Sequence, residues 1–187
     1  VFSNYSKWTD EKLMRQVQRG REEAFNVLYE RYGTKLYTYF WRALAQEKEV
    51  AEDFTQQLFL KLIERRASYD ARRTFSAWLF TIAANMVKNE YRRRSRLTKN
   101  TIRYAQGETH FEPPLLGQLD KEYHQAQLNK AMNQLAEKHR QVFLLRYQEE
   151  MSVKAISEIV GCPEGTVKSR LYYALKYLAK QLENIRY

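Results

Sequence analysis

The sequence predicts an all-α protein of two small helical domains joined by a flexible linker, the second domain carrying a helix-turn-helix. Three observations lead there. Among 187 residues only six are Gly and three are Pro, too few breakers for a many-turned β-fold. Apolar residues recur at i, i+3, i+4 and i+7 through most of the chain, the period of a helix that buries one face. That period fades once, over residues 98–121, where Gly107, Pro113, Pro114 and Gly117 gather. Hydrophobic residues make up 44% and aromatics 14%, enough for packed cores.

The first domain is expected over residues 1–97. Thr9, ahead of Asp10 and Glu11, has the form of an N-cap with acids in the first turn. Phe25, Leu28, Tyr29, Tyr32, Leu36, Tyr39 and Phe40 then mark one buried stripe, with Gly33 inside it. Val50, Phe54, Leu58 and Leu62 step by four and mark a second helix. Its other side carries Gln56, Phe59, Leu60 and Ile63, with Asp53 and Gln57 at the edge. A helix apolar on two faces is either central in a core or docked on a partner. A three-helix bundle has little room to bury both, so this outer face is expected to meet another protein. Phe75, Trp78, Leu79, Ile82, Ala83 and Met86 form the clearest stripe, and the bundle should end near residue 96.

The second domain is expected over residues 122–187, after a linker at 98–121. Leu128, Ala131, Met132 and Leu135 begin a helix, and Val142, Phe143, Leu145 and Arg146 belong to the next. Ser152 can cap a short helix carrying Val153, Ile156, Ile159 and Val160, which Gly161 stops in a left-handed conformation. Pro163 suits the first turn of a last helix with the stripe Val167, Leu171, Ala174, Leu175, Leu178 and Leu182. Short helix, Gly-containing turn and longer helix make a helix-turn-helix.

Charge points to the partner. The chain carries 32 Lys and Arg against 22 Asp and Glu, a net charge of +10, as expected of a protein meeting a polyanion, either nucleic acid or an acidic membrane surface. Residues 1–104 hold a net +9 of this and residues 105–187 only +1. Opposite its apolar stripe the last helix presents Gly165, Thr166, Ser169, Tyr172, Tyr173 and Lys176, with Lys168 and Arg170 on the flanks. Small and hydroxyl residues at its start permit close approach to a groove, and Lys and Arg then meet phosphates. From Asn85 to Arg103 there are seven basic side chains (Lys88, Arg92, Arg93, Arg94, Arg96, Lys99 and Arg103) and one acid, Glu90. Tyr91 offers a stacking surface within this run, and Asn85 an amide that can read a base edge. A solvated helix end would have the same composition.

Catalytic chemistry has little to stand on. His110, His124 and His139 are scattered, no phosphate loop occurs, and no Cys/His cluster has metal-ligand spacing. No cofactor, metal or catalytic residue is therefore expected. Cys162 is the lone cysteine, better placed as a small packed residue than as a nucleophile. A single cysteine and no bilayer-length apolar run predict a cytoplasmic protein without membrane insertion.

The segments AFNVLYERYGTKLY, VAEDFTQQLFLKL, TFSAWLFTIAANMVKNEYRRR and LAEKHRQVFLLRYQEEMSVKAISEIVGCPEGTVKSRLYYALKYL, in this order, resemble the extracytoplasmic-function group of bacterial sigma factors. The resemblance implies a first domain like sigma region two, docking on the β′ clamp helices of a core RNA polymerase of which β is also a partner. On that resemblance Asp53, Gln56, Gln57, Phe59, Leu60 and Ile63 form the docking face; family members often have an acid where Gln57 stands. The minus-ten promoter element falls to Asn85, Lys88, Asn89, Tyr91, Arg92 and Arg93. A second domain like sigma region four would read the minus-thirty-five element through Glu164, Gly165, Thr166, Lys168, Ser169, Arg170, Tyr172 and Tyr173, the last standing where a basic residue is common. An anti-sigma factor is the usual regulator of such proteins, although no residue identifies one. Two other readings compete on the residues alone, the second disfavoured because the apolar stripes run through bundled helices and not one isolated amphipathic segment. One is a stand-alone helix-turn-helix regulator on operator DNA, and the other a basic module on acidic lipid.

Overall fold

The computed structural model describes residues 5–45, 47–101 and 119–183, with side-chain surroundings defined outside 98–101, 119–125 and 183. The described residues form α1 (Asp10–Gln18), α2 (Glu22–Ala43), α3 (Lys48–Arg65), a 3-10 turn (Arg66–Ser68), α4 (Phe75–Thr101), α5 (Leu119–Gln134), α6 (Glu137–Tyr147), α7 (Val153–Val160) and α8 (Glu164–Glu183). Helices α1 to α4 make the first domain and α5 to α8 the second. The expected linker is shorter at both ends, since α4 continues to Thr101 and α5 starts at Leu119. No Gly or Pro interrupts residues 75–106, and the Arg, Lys and Leu of the basic run favour helix. Residues 102–118, the rest of the stretch expected as a linker, lie outside the described residues, as does His110.

The first domain is tied together from its first helix. Thr9 caps α1, its Oγ1 accepting the Lys12 backbone N–H at 3.4 Å. The acids of that turn reach further than the helix dipole requires. Asp10 accepts from the Arg31 guanidinium and from the Tyr32 hydroxyl, the latter at 2.6 Å. Glu11 accepts the Phe75 backbone N–H at 3.1 Å and so caps the start of α4 from 64 residues away. Inside, Leu28, Leu36, Tyr39, Phe40, Phe75, Leu79 and Phe80 are completely or almost completely buried. Each such side chain contributes about 1.5–3 kcal/mol by leaving water. Tyr39 meets Phe80 edge-on at 5.4 Å and 88°, an arrangement favoured by the ring quadrupoles.

Two stripes differ from expectation. Tyr29 turns outward from α2 and is 47% exposed. On α3 the buried line is Ala51, Thr55, Leu58, Phe59 and Leu62, while Val50 and Phe54 are only half-buried. Phe59, expected on the outer face, is therefore core, at 4% exposure. Its ring packs edge-on against Phe25 at 5.9 Å and at a 48° tilt against Tyr29 at 4.6 Å. Long aromatic side chains from α2 reach over the outer side of α3, which a simple count of helix faces does not anticipate.

In the second domain the local signals act as expected. Ser152 Oγ accepts the Ala155 N–H at 3.1 Å, and Gly161 is left-handed at φ 66° and ends α7. Pro163 stands one residue before α8, where its carbonyl accepts from Thr166 and Val167 at 2.9 and 3.1 Å. Val167, Leu171, Ala174 and Leu178 are buried, whereas Leu175 leaves the stripe at 43% exposure. The two domains touch. Helix α7 packs on α4, and α5 and α6 reach α2, so the buried residues of both form one contiguous cluster.

Candidate nucleic-acid interface

Helix α8 shows its polar face to solvent. Glu164, Gly165, Lys168, Ser169, Tyr172 and Tyr173 are exposed, and Thr166 and Arg170 half-buried. A Cβ placed on Gly165 would meet nothing within 4 Å, so the helix start has open space in front of it. Ser169 donates to the Thr166 carbonyl at 3.0 Å, holding its hydroxyl on the helix until a better partner arrives. Tyr172 and Tyr173 meet edge-on at 5.5 Å, and Tyr173 stacks on His139 of α6 at 6.2 Å and 29°. Burial, with Lys138 and Arg170 nearby, pushes the His139 pKa down. His139 joins this surface only through the α6–α8 packing, and no spacing in the sequence signals it.

The second basic surface lies on α4 and is more divided. Asn85, Lys88, Asn89, Arg92 and Arg93 are exposed. Glu90 is not; at 7% exposure it accepts from Arg93 at 2.7 and 2.8 Å and from Arg94 at 2.7 Å. The Arg93 guanidinium first, and then Arg94, hold its carboxyl down at about 2 against the cost of burial. Arg94 also donates to Glu47 at 2.6 Å. Two cations of the run are thus partly neutralised inside the molecule. Lys88 and Arg92 make no ion pair among the described residues. Tyr91 is half-buried, its hydroxyl donating to the Ala43 carbonyl at 2.6 Å and accepting from Arg140 at 2.8 Å.

A third surface lies on α3. Asp53, Gln56, Gln57 and Leu60 are exposed, Leu60 at 64%, while Ile63 is half-buried and Phe59 buried. Beside them Tyr29, Glu30, Tyr37, Glu52 and Gln56 line an open groove of about 360 Å³ between α2 and α3. Tyr29, Tyr37 and the two acids were not legible as part of this face, because they join it only when α2 and α3 pack. Among the described residues no three His, Cys, Asp or Glu are grouped to hold a metal. Nor is any described helix long and apolar enough to cross a membrane.

An exposed helix on a helix-turn-helix, with a separate helix bearing cations and amides, defines a helical DNA-binding protein of two domains. The family follows from the comparisons. The model for sigma-70 region 2 matches residues 28–97, and that for sigma-70 region 4 matches residues 125–178. The extracytoplasmic-function RNA polymerase sigma factor SigW of Bacillus subtilis is 30% identical over 183 residues, covering 93% of this chain and 97% of its own. Among solved structures, the sigma factor RpoE of Bartonella quintana, in complex with the anti-sigma factor NepR, is similar. It is 25% identical, with a TM-score of 0.69, covering 85% of this chain and 96% of that one. CnrH, solved with the cytosolic domain of CnrY, shares the fold with a TM-score of 0.71 at 22% identity, covering 94% and 97%. The chain belongs to the extracytoplasmic-function family of RNA polymerase sigma factors.

Proposed function

We propose that this sigma factor docks on core RNA polymerase through α3 and brings two DNA-reading helices to a promoter. Helix α4 reads the minus-ten element with Asn85, Lys88, Asn89 and Arg92, and helix α8 reads the minus-thirty-five element with Lys168, Ser169, Tyr172 and Tyr173. The carrying observation is the open face of α8, with free approach at Gly165 and unburied polar side chains behind it. Asn85 offers an amide that donates and accepts at once, suited to a base edge, whereas Lys88 and Arg92 suit phosphates. All catalysis belongs to the polymerase, so the protein works wherever that enzyme does, inside the cell. Each weak DNA contact gains from the other through the intervening chain. The solved relative bound to an anti-sigma factor supports a regulator of that kind here.

Docking is tested on neighbours in one helix. Leu60→Ala should weaken binding to core polymerase by about 2 kcal/mol, as for an exposed anchor at an interface, and leave the thermal melt unchanged. Phe59→Ala should instead destabilise the first domain by about 3–5 kcal/mol, because its ring is core. Run-off transcription with core polymerase on a genomic library completes the test. A wild-type chain that binds DNA without polymerase affinity, at palindromic sites, would make it an operator-binding regulator instead.

A further inference from the structure

We propose that His139 of α6 is a positioning residue for promoter reading, holding the Tyr173 ring of α8 as a base-facing edge that selects a thymine. The inference rests on the reading of α8 given above. It adds a residue from outside the short helix, turn and last helix that make up the recognition motif.

Three rings form a continuous strip across this surface. Tyr172 meets Tyr173 edge-on at 5.5 Å and 73°, and Tyr173 stacks on His139 at 6.2 Å and 29°. The Tyr173 ring is therefore braced from two sides, yet it stays 56% exposed. A ring so exposed gains little from burial, and an unbraced tyrosine on a helix divides itself between two side-chain directions. A ring pair of this kind shifts such a division by about two- to tenfold. The brace thus serves the presentation of the ring more than the stability of the domain, whose core is Val142, Leu145, Val167, Leu171 and Ala174.

The α6 side of the brace is itself fixed. His139 is half-buried, and its backbone N–H donates to the Ala136 carbonyl at 2.9 Å in the first turn of α6. Its neighbour Arg140 is buried and donates to the Asn133 and Leu135 carbonyls at 2.6 and 3.0 Å, which sets the corner between α5 and α6. Tyr177, one turn beyond Tyr173, donates to Gln134 of the same corner at 3.0 Å. The corner grips α8 at two successive turns, once by a stack and once by a hydrogen bond. His139 is suited to stacking and not to holding a phosphate. Burial first, then Lys138 and Arg170, push its pKa down and disfavour the cation.

What Tyr173 can read follows from its chemistry. It lies one turn after Ser169, about 6 Å along the helix axis, so it reaches base pairs next to those that Lys168 and Ser169 meet. In the major groove thymine shows a C5-methyl group and one carbonyl acceptor, and guanine shows two acceptors side by side. A phenol ring packs on the methyl, and its hydroxyl donates one hydrogen bond, but it has no fork for the two guanine acceptors. A braced ring keeps its contact point still, whereas a swinging one would touch sugar, phosphate and base in turn. Specificity at this base pair is then shared by two residues on different helices.

The test uses holoenzyme assembled with the full chain and a duplex promoter whose upstream element is randomised, the bound fragments being sequenced. Tyr173→Arg marks the base pair concerned, since a guanidinium fork should turn the preference there from thymine to guanine. At that pair, and at no other, His139→Ala should lower the preference for thymine by about two- to tenfold. His139→Phe keeps a flat ring and should restore it. In a Tyr173→Ala background His139→Ala should change nothing further, as for two residues that act through one contact. A uniform loss of binding at every position in His139→Ala would make the residue merely structural and overturn the proposal. Failure of His139→Phe to restore the preference would mean that the imidazole nitrogens meet DNA themselves, which overturns it too, as does a wild-type preference for another base at the marked pair. An unchanged profile in His139→Ala or in Tyr173→Arg, with Lys168→Ala weakening binding, defeats the brace and leaves the reading of α8 standing. A wild type that enriches no upstream sequence defeats that reading, and the brace with it.

Discussion

Helices α4 and α8 both carry Lys and Arg on a polar face, yet the molecule treats them differently. On α8 the exposed residues have few commitments: Ser169 bonds within its own helix, and Tyr173 stacks on His139. On α4 several charged or aromatic groups have internal partners, although Lys88 and Arg92 make no ion pair among the described residues. Glu90 ties down Arg93 and Arg94, Glu47 holds Arg94, and Arg140 and Ala43 hold Tyr91. Composition ranks α4 as the stronger electrostatic surface, and geometry narrows that lead, because Glu90 and Glu47 take up Arg93 and Arg94. A count of basic residues measures what a helix could offer, not what its neighbours leave available.

The sharpest way to break this comparison is on α8. Lys168→Ala or Ser169→Ala should weaken binding at a cognate upstream element by about 1–3 kcal/mol if a base contact is lost, with the fold unchanged. Gel shifts with polymerase holoenzyme give the number, and full affinity in both variants would remove α8 from the DNA.

The two domains should also depend on helix caps of different origin. Ser152→Ala removes a local cap from α7 and should cost the second domain about 1 kcal/mol in denaturant melts. Glu11→Ala removes the cap that α1 supplies to α4 and should cost the first domain a similar amount, although no local sequence signal marks it. If only the local cap matters, α1 is not what holds the start of α4.

Salt dependence separates the cations of α4 from one another. Lys88→Ala and Arg92→Ala should each reduce the log–log salt slope of holoenzyme binding to duplex promoter by about 0.9, one phosphate apiece. Arg93→Ala and Arg94→Ala should reduce it less and lower the melting temperature instead, because both serve Glu90. Equal slopes for all four would mean that the ion network dissolves on binding.

The smallest effect is a pH window. Glu90 is held at about 2 in the folded chain against an ordinary value of 4.5. Its pairing therefore contributes stability above the ordinary glutamate range, which is lost as pH falls towards about 2. Glu137 and Glu149 act in the opposite sense, since burial raises both. The difference between wild type and Glu90→Gln isolates the Glu90 share: urea melts from neutral to acid pH should show a shallower decline in the variant. Parallel declines would show that the arginines stabilise nothing through Glu90.

Much of this molecule was legible before any fold was known. The helical stripes, the Ser152 cap, the Gly161 stop and the exposed face of α8 depend on residues within a few positions of one another. Backbone geometry turns such spacing directly into structure. Four segments in order were enough to suggest the family. Tertiary packing decided the rest: Phe59 became core because α2 projects Phe25 and Tyr29 over it, and His139 reached the α8 face through the α6–α8 contact. Glu11 became a cap for α4, and Arg140 became a bridge between domains. Each of these outcomes joins groups distant in sequence, whose energies depend on distances and burial that exist only once the helices have packed. Periodicity shows which side of a helix must leave water, whereas only the assembled structure decides what it meets there.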